Sequence, residues 1–256
     1  MDLGREAMDK ISKALERARR DGAADRSDAR RPSASGAFPP LKAQPGAQSG
    51  VTDEYFALIS EVYLALPKVA SRVLMLASAT PGEGTSTVAR GLAETLAGSG
   101  GVEVVLVDAN LRAPTLDQVF RVRRTPGLSD HIEGGAALGS CLVETQVPHL
   151  TLLPAGKRTP VPPRVLGDPA MERVIAELRG RFAYIIVDAA PVLPWPESGG
   201  LSRKVDGTIV VIRAGHTKRE LVERAMRLVE DAGGRILGTV LNRRRYYIPR
   251  FIYERL

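Results

Sequence analysis

The chain has 256 residues, 44% of them hydrophobic, a single cysteine and a formal net charge of +7. That length carries one good core with room for a tail, and the lone Cys141 excludes an internal disulfide or a multi-cysteine metal site. A mean hydropathy of −0.08, with no apolar run long enough to span a bilayer and charges breaking up the start, predicts a cytosolic protein without a signal peptide.

Met8, Ile11, Leu15 and Ala18 recur at helical spacing between charges, which predicts a short amphipathic helix over residues 1–20. Such a helix is marginal alone in water and is expected to dock on a partner or on the body. Residues 21–50 are rich in Ala, Ser, Pro and Gly and poor in large apolar side chains, the composition of a flexible linker.

The texture changes at residue 51. Tyr55, Leu58, Ile59, Val62 and Leu66 form a helical stripe stopped by Pro67. Apolar segments then alternate with helical ones: Arg72–Ser78, Val102–Asp108, Leu150–Gly156, Tyr184–Ala190, Gly207–Ala214 and Arg235–Asn242, with a helix over Lys218–Ala232. Nearly continuous Val, Ile and Leu is the signature of strands buried on both faces. The prediction is a doubly wound, mainly parallel α/β sheet over residues 51–242, with ligands at the carboxyl ends of its strands.

Three of those ends carry polar residues suited to a nucleotide. After the first strand comes "ATPGEGTS", Ala79–Ser86, which follows the phosphate-loop pattern [AG]-x-x-x-x-G-K-[ST] except that Thr85 stands at the lysine position. Gly82 and Gly84 allow backbone N–H groups to curl around a phosphate, the following helix adds its dipole, and Ser86 is placed to offer a hydroxyl to Mg²⁺. Asp108 and Asp188 close two other strands. A carboxylate buried at a strand end needs a partner, either a hydrated Mg²⁺ or the N–H groups of the next turn.

The final fourteen residues, 243–256, hold five arginines against one glutamate, more than half of the net charge. A localised basic end points to an anionic partner or surface and not to a nucleic-acid-coating domain. Phe251, Ile252 and Tyr253 among those arginines also suit a short segment lying on anionic lipid, or a tail packed back on the body.

From about Thr52 to Asn242 the chain resembles the bacterial tyrosine autokinases of capsule and exopolysaccharide biosynthesis, themselves similar to the MinD/ParA ATPases. The resemblance rests on "SATPGEGTST", "VDANLRAP" and "IVDAAPVLP", where that family reads S-x-x-P-G-E-G-K-S-T, V-D-A-D-L-R-R-P and I-I-D-x-P-P. "TPGLSDHIEG", "LPAGKRTPVPPRVL" and the stretch from Val205 to Arg243 extend it. It implies ATP or ADP with Mg²⁺ held by Gly82, Glu83, Gly84, Thr85, Ser86, Thr87 and Asn242, with Ser86, Asp108 and Asp188 at the metal. It implies catalytic positions at Asp108, Asn110, Arg112 and Asp188, and phosphoacceptor tyrosines at Tyr246, Tyr247 and Tyr253. It also implies a transmembrane polysaccharide co-polymerase as partner, a place at the cytoplasmic side of the inner membrane through that partner, and homo-oligomers.

Three departures fall on three functional elements. Thr85 replaces the lysine that would meet the β- and γ-phosphates, a loss that commonly costs about 3 kcal/mol of transition-state stabilisation. Asn110 replaces the second aspartate of D-x-D. In the helix before the first strand, Glu54 matches the family's E-x-x-R-x-x-R, but Ala57 and Ser60 stand where the ring-forming arginines belong. Lys68 and Arg90 could each reach a phosphate in the lysine's place, but nothing in their spacing argues that either does. The expectation is a regulator with weak or absent kinase activity; the alternatives are an active autokinase of the same system and a MinD/ParA-like positioning ATPase.

Overall fold

A computed structural model describes residues 49–66, 69–99, 101–157, 166–167 and 169–243. The predicted helix over 1–20, nearly all of the predicted linker, Lys68, residues 158–165 of the "LPAGKRTPVPPRVL" segment, and the tail from Arg244 with Tyr246, Tyr247 and Tyr253 lie outside them.

Seven strands form one sheet in the order β3-β4-β2-β5-β1-β6-β7. They are β1 Arg72–Ser78, β2 Val104–Ala109, β3 Val143–Glu144, β4 Leu150–Leu153, β5 Tyr184–Ala189, β6 Gly207–Arg213 and β7 Ile236–Asn242. Every pairing is parallel except the two-residue β3, which runs antiparallel on the outer edge of β4. The sheet is therefore the mainly parallel one that the strand composition predicts. β3 has no apolar run to announce it. The fourth strand stops at Leu153, because Pro154 and Ala155 turn out to accept bonds from the backbone of Leu128 and Ser129.

The period of two along each strand divides the core between the faces. Val73, Met75 and Ala77 of β1 join Val105, Val107, Ile185 and Val187 on one side. There they meet Met171, Val174 and Leu178 of α6 (Pro169–Arg179) and Ala225 and Val229 of α8 (Arg219–Asp231). Leu74, Leu76, Leu106 and Ile186 face the other way, onto Val88, Leu92 and Leu96 of α2 (Thr85–Gly98). The helix α1 (Ser49–Ala65) adds Ile59 and Val62 to that second layer and ends before Pro67. Tyr55 of α1 lies against Gly91 of α2 so closely that a Cβ there would stand 2.2 Å from its ring.

Short helices fill the connections: α3 (Leu116–Phe120), α4 (Leu128–Gly134), α5 (Leu138–Cys141) and α7 (Glu197–Ser202). The parallel order brings the carboxyl ends of β1, β2, β5 and β7 to one edge of the sheet, and the polar motifs collect there.

Candidate functional site

The loop between β1 and α2 is held in shape from within. Glu83 is fully buried, and its Oε1 accepts from the backbone N of Thr80 at 3.0 Å and from the Thr80 hydroxyl at 2.6 Å. Its side chain thus braces the loop, which leaves the backbone N–H as the part of Glu83 able to meet a ligand. Gly82 and Gly84 have φ of +81° and +91°, left-handed values that glycine adopts without strain. The Asn242 side chain, from the end of β7, donates to the Glu83 carbonyl at 2.9 Å and fills the space where a Cβ on Gly84 would stand. Asn242 therefore also shapes the loop.

Gly84 caps α2 without any side-chain bond, so the N–H groups of Thr85, Ser86 and Thr87 open the helix toward the loop. A glycine-turned loop at a helix N-terminus is a seat for an anion. Thr85 is buried at 8% exposure, Ser86 is half-buried and Thr87 is exposed. These residues, with Gly82, Asn110 and Trp195, line a cleft of about 250 Å³.

Asp108 and Asp188 stand opposite each other on β2 and β5, and neither is exposed to solvent. Asp108 is satisfied by the turn that follows it, accepting from the backbone N of Asn110 and of Leu116, each at 3.2 Å. Burial nonetheless lifts its carboxyl from the ordinary 3.8 to about 7. Among the described residues, neither oxygen of Asp188 has a hydrogen-bond partner. Burial first, and the neighbouring Asp108 second, push its carboxyl well above the ordinary range; the Ser86 hydroxyl pulls the other way without closing a bond of normal geometry.

An orphaned, buried carboxylate beside a hydroxyl and a phosphate-type loop fits a divalent cation. Among the described residues no three His, Cys, Asp or Glu side chains gather as a metal cage. The ion that suits the site is one that keeps several waters and takes phosphate oxygens, which is the habit of Mg²⁺. Ser86 and Asp188 would hold it, with Asp108 behind them.

The other expected residues divide. Asn110 lines the cleft, and its side-chain oxygen accepts from the backbone N of Ala113 at 3.2 Å. Arg112 reaches across to α7, where Nε and Nη2 both bond Glu197 Oε1, at 3.0 and 2.7 Å. It ties the loop after β2 to the start of α7. Arg90 bonds Glu94 at 2.8 Å and lies over the Phe120 ring, which engages it away from the loop. Glu54, Ala57 and Ser60 all lie on the exposed face of α1. The segment at Thr125–Gly134 docks on the one after β4: Leu128 N donates to Pro154 O at 2.8 Å, and the Ser129 hydroxyl donates to Lys157 O at 2.8 Å.

Two neighbours of the cleft were missed in the sequence. Trp195, the chain's single tryptophan, forms part of its wall. Arg243, assigned to the tail by its charge, instead ends against the loop, its Nε 4.0 Å from where a Cβ on Gly84 would stand. Its position directly after Asn242 was the available signal.

No protein-family model matches the chain. Over 197 residues it is 33% identical to the tyrosine-protein kinase CpsD of Streptococcus agalactiae serotype III, spanning 77% of this chain and 84% of that one. It is 32% identical over 176 residues to the succinoglycan biosynthesis transport protein ExoP of Rhizobium meliloti, spanning 68% of this chain and 22% of ExoP. Among solved structures, the chimerical protein CapA2B2 is similar with a TM-score of 0.73 at 25% identity, over 78% of this chain and 87% of that one. The septum site-determining protein MinD of Pyrococcus horikoshii, solved with Mg-ADP, shares the fold with a TM-score of 0.56 at 24% identity, over 72% and 76% of the two chains.

Proposed function

The chain belongs to the bacterial tyrosine-protein kinase family of capsule and exopolysaccharide biosynthesis, and we propose that within it this protein is a regulator that binds Mg-ATP and Mg-ADP but transfers phosphate weakly or not at all. The observation that carries this reading is Thr85. It occupies the first, buried position of α2 in a loop whose backbone cradle is otherwise intact. A hydroxyl there donates one hydrogen bond and brings no charge to a transition state that spreads negative charge over the transferred phosphoryl group. Asn110 removes a second charge at the cleft. Bound Mg²⁺ would neutralise phosphate oxygens and orient them. Ser86 and Asp188 would hold the ion, the N–H groups of Gly84 to Thr87 would hold the phosphates, and Asp108 would keep the turn over Asn110–Leu116 in place.

On this reading the protein acts through a partner, a transmembrane polysaccharide co-polymerase, as a nucleotide-dependent subunit at the cytoplasmic face of the inner membrane. ExoP supports this, since a region similar to this chain makes up a fraction of a longer biosynthesis transport protein. No helix among the described residues is long and apolar enough to cross a membrane. The exposed face of α1 carries Ala57 and Ser60 in place of arginines, so self-association would use other contacts. The test is to incubate the purified protein with ATP and Mg²⁺ and blot for phosphotyrosine, with and without the cytoplasmic segments of the co-polymerase. Weak or absent signal in both arms is expected; strong signal in either overturns the reading.

A further inference from the structure

The loop lacks its own cation, yet a guanidinium lies beside it. Arg243 follows the last residue of β7 and has a φ of +55°, a left-handed conformation uncommon outside glycine. Its backbone N donates to Asn242 Oδ1 at 2.8 Å, while Asn242 Nδ2 donates to the Glu83 carbonyl at 2.9 Å. One asparagine therefore fastens the start of the tail to the phosphate loop through both ends of its amide. The Arg243 side chain lies near the same glycine, with Nε 4.0 Å from the position a Cβ on Gly84 would take. Gly84 is the residue before Thr85, so the Arg243 Nε lies beside the loop one residue from the position where the lysine is missing.

Among the described residues Arg243 forms no ion pair, whereas Arg90 is engaged by Glu94 and Arg112 by Glu197. A guanidinium keeps its charge at any physiological pH and presents a planar fork that matches two phosphate oxygens. We propose that Arg243 supplies from β7 the cation that the loop has lost, contacting the phosphates of a nucleotide bound over Gly82–Thr87. The inference rests on the nucleotide reading above and adds to it a phosphate ligand from outside the loop. A cation arriving from the rim stabilises bound phosphate without taking the lysine's place inside the loop. Nucleotide affinity can thus survive while phosphate transfer does not.

The experiment is a double-variant cycle read by calorimetry with Mg-ADP, on the full chain. The variants are Arg243→Ala, Arg243→Lys, Thr85→Lys and Thr85→Lys with Arg243→Ala. The expected result is a loss of roughly tenfold for Arg243→Ala, the scale of one charge-assisted contact. Arg243→Lys should recover part of it, and the loss should shrink sharply in the Thr85→Lys background, where a lysine already meets the phosphates. Arg243 is exposed, so the melting temperature without nucleotide should stay put. Unchanged affinity in Arg243→Ala overturns the inference and leaves nucleotide binding standing. So does an equal loss in both backgrounds, which would mark a role in loop shape. If the unmodified protein and Thr85→Lys both bind no Mg-ADP at millimolar concentration, the nucleotide reading fails and this inference fails with it.

Discussion

Asp108 and Asp188 face each other across neighbouring parallel strands, both fully buried, and the protein satisfies only one of them. The backbone of the turn after β2 donates to both oxygens of Asp108, while among the described residues neither oxygen of Asp188 has a hydrogen-bond partner. Two carboxyls in one strand register thus differ: the turn after β2 bonds one, and the described residues leave the other without a hydrogen bond.

Asp188→Asn should raise the melting temperature of the protein in EDTA at about pH 8, because it replaces a buried carboxyl that can ionise with a neutral amide that cannot. Such a group costs about 1–3 kcal/mol, more when it is charged. The same variant should lose the stabilisation that Mg-ADP gives the unmodified protein. Thermal melts with and without Mg-ADP check both halves. A nucleotide-dependent shift that survives in Asp188→Asn would remove this residue from the metal.

Stability without metal should fall as pH rises. Burial raises the folded-state pKa of Asp108 from 3.8 to about 7 and that of Asp188 well above its ordinary value. In that interval the folded protein binds more protons than the unfolded chain. The stabilisation is therefore complete below about pH 4 and is lost as pH passes through about 7 and above. Melting in EDTA at about pH 5 and about pH 8 should show the drop, and the Asp108→Asn, Asp188→Asn double variant should flatten it. A profile unaffected by the double variant would place the titration elsewhere.

Gly84→Ala should disable the loop with modest effect on the core. Its φ of +91° is strained for any other residue, and the new Cβ would stand 2.2 Å from Asn242 Nδ2. The cost is on the order of 1–3 kcal/mol at the loop, and the displaced Asn242 would release Glu83. Mg-ADP affinity should fall at least tenfold by calorimetry. Unchanged binding would mean that the Asn242 clasp is irrelevant to the ligand.

The sheet was legible because its strands are nearly unbroken apolar runs, buried on both faces, so period and length pointed the same way. The two-residue β3 has Val143 half-buried and Glu144 exposed, and its pairing is set by β4 alone. Asp108, Asp188 and the glycine loop could be read because strand ends and loop spacing announce them. What could not be read is where side chains turn once the strands are packed. Glu83 looks like a loop residue for the ligand, yet its carboxylate points inward to Thr80. Arg112 matches its motif but closes onto Glu197, 85 positions away in sequence. Arg243 looked like tail charge because its contact with Gly84 joins distant segments, which no local spacing encodes.

Thr85→Lys should strengthen nucleotide binding by about 1.5–3 kcal/mol, the range of hydrogen bonds to charged groups. Thr85 already opens α2 behind a left-handed Gly84, the place from which a lysine would reach bound phosphates. Calorimetry with Mg-ADP measures the gain. No gain would mean that the loop has drifted from phosphate binding despite its shape.

The most direct measurement of the central claim is phosphotyrosine formation, with ATP and Mg²⁺, in the unmodified protein beside a variant that combines Thr85→Lys with Asn110→Asp. The proposed reading, a nucleotide seat without two charges of the chemistry, predicts weak or absent signal in the first and clear signal in the second. Strong phosphorylation of the unmodified protein would contradict it.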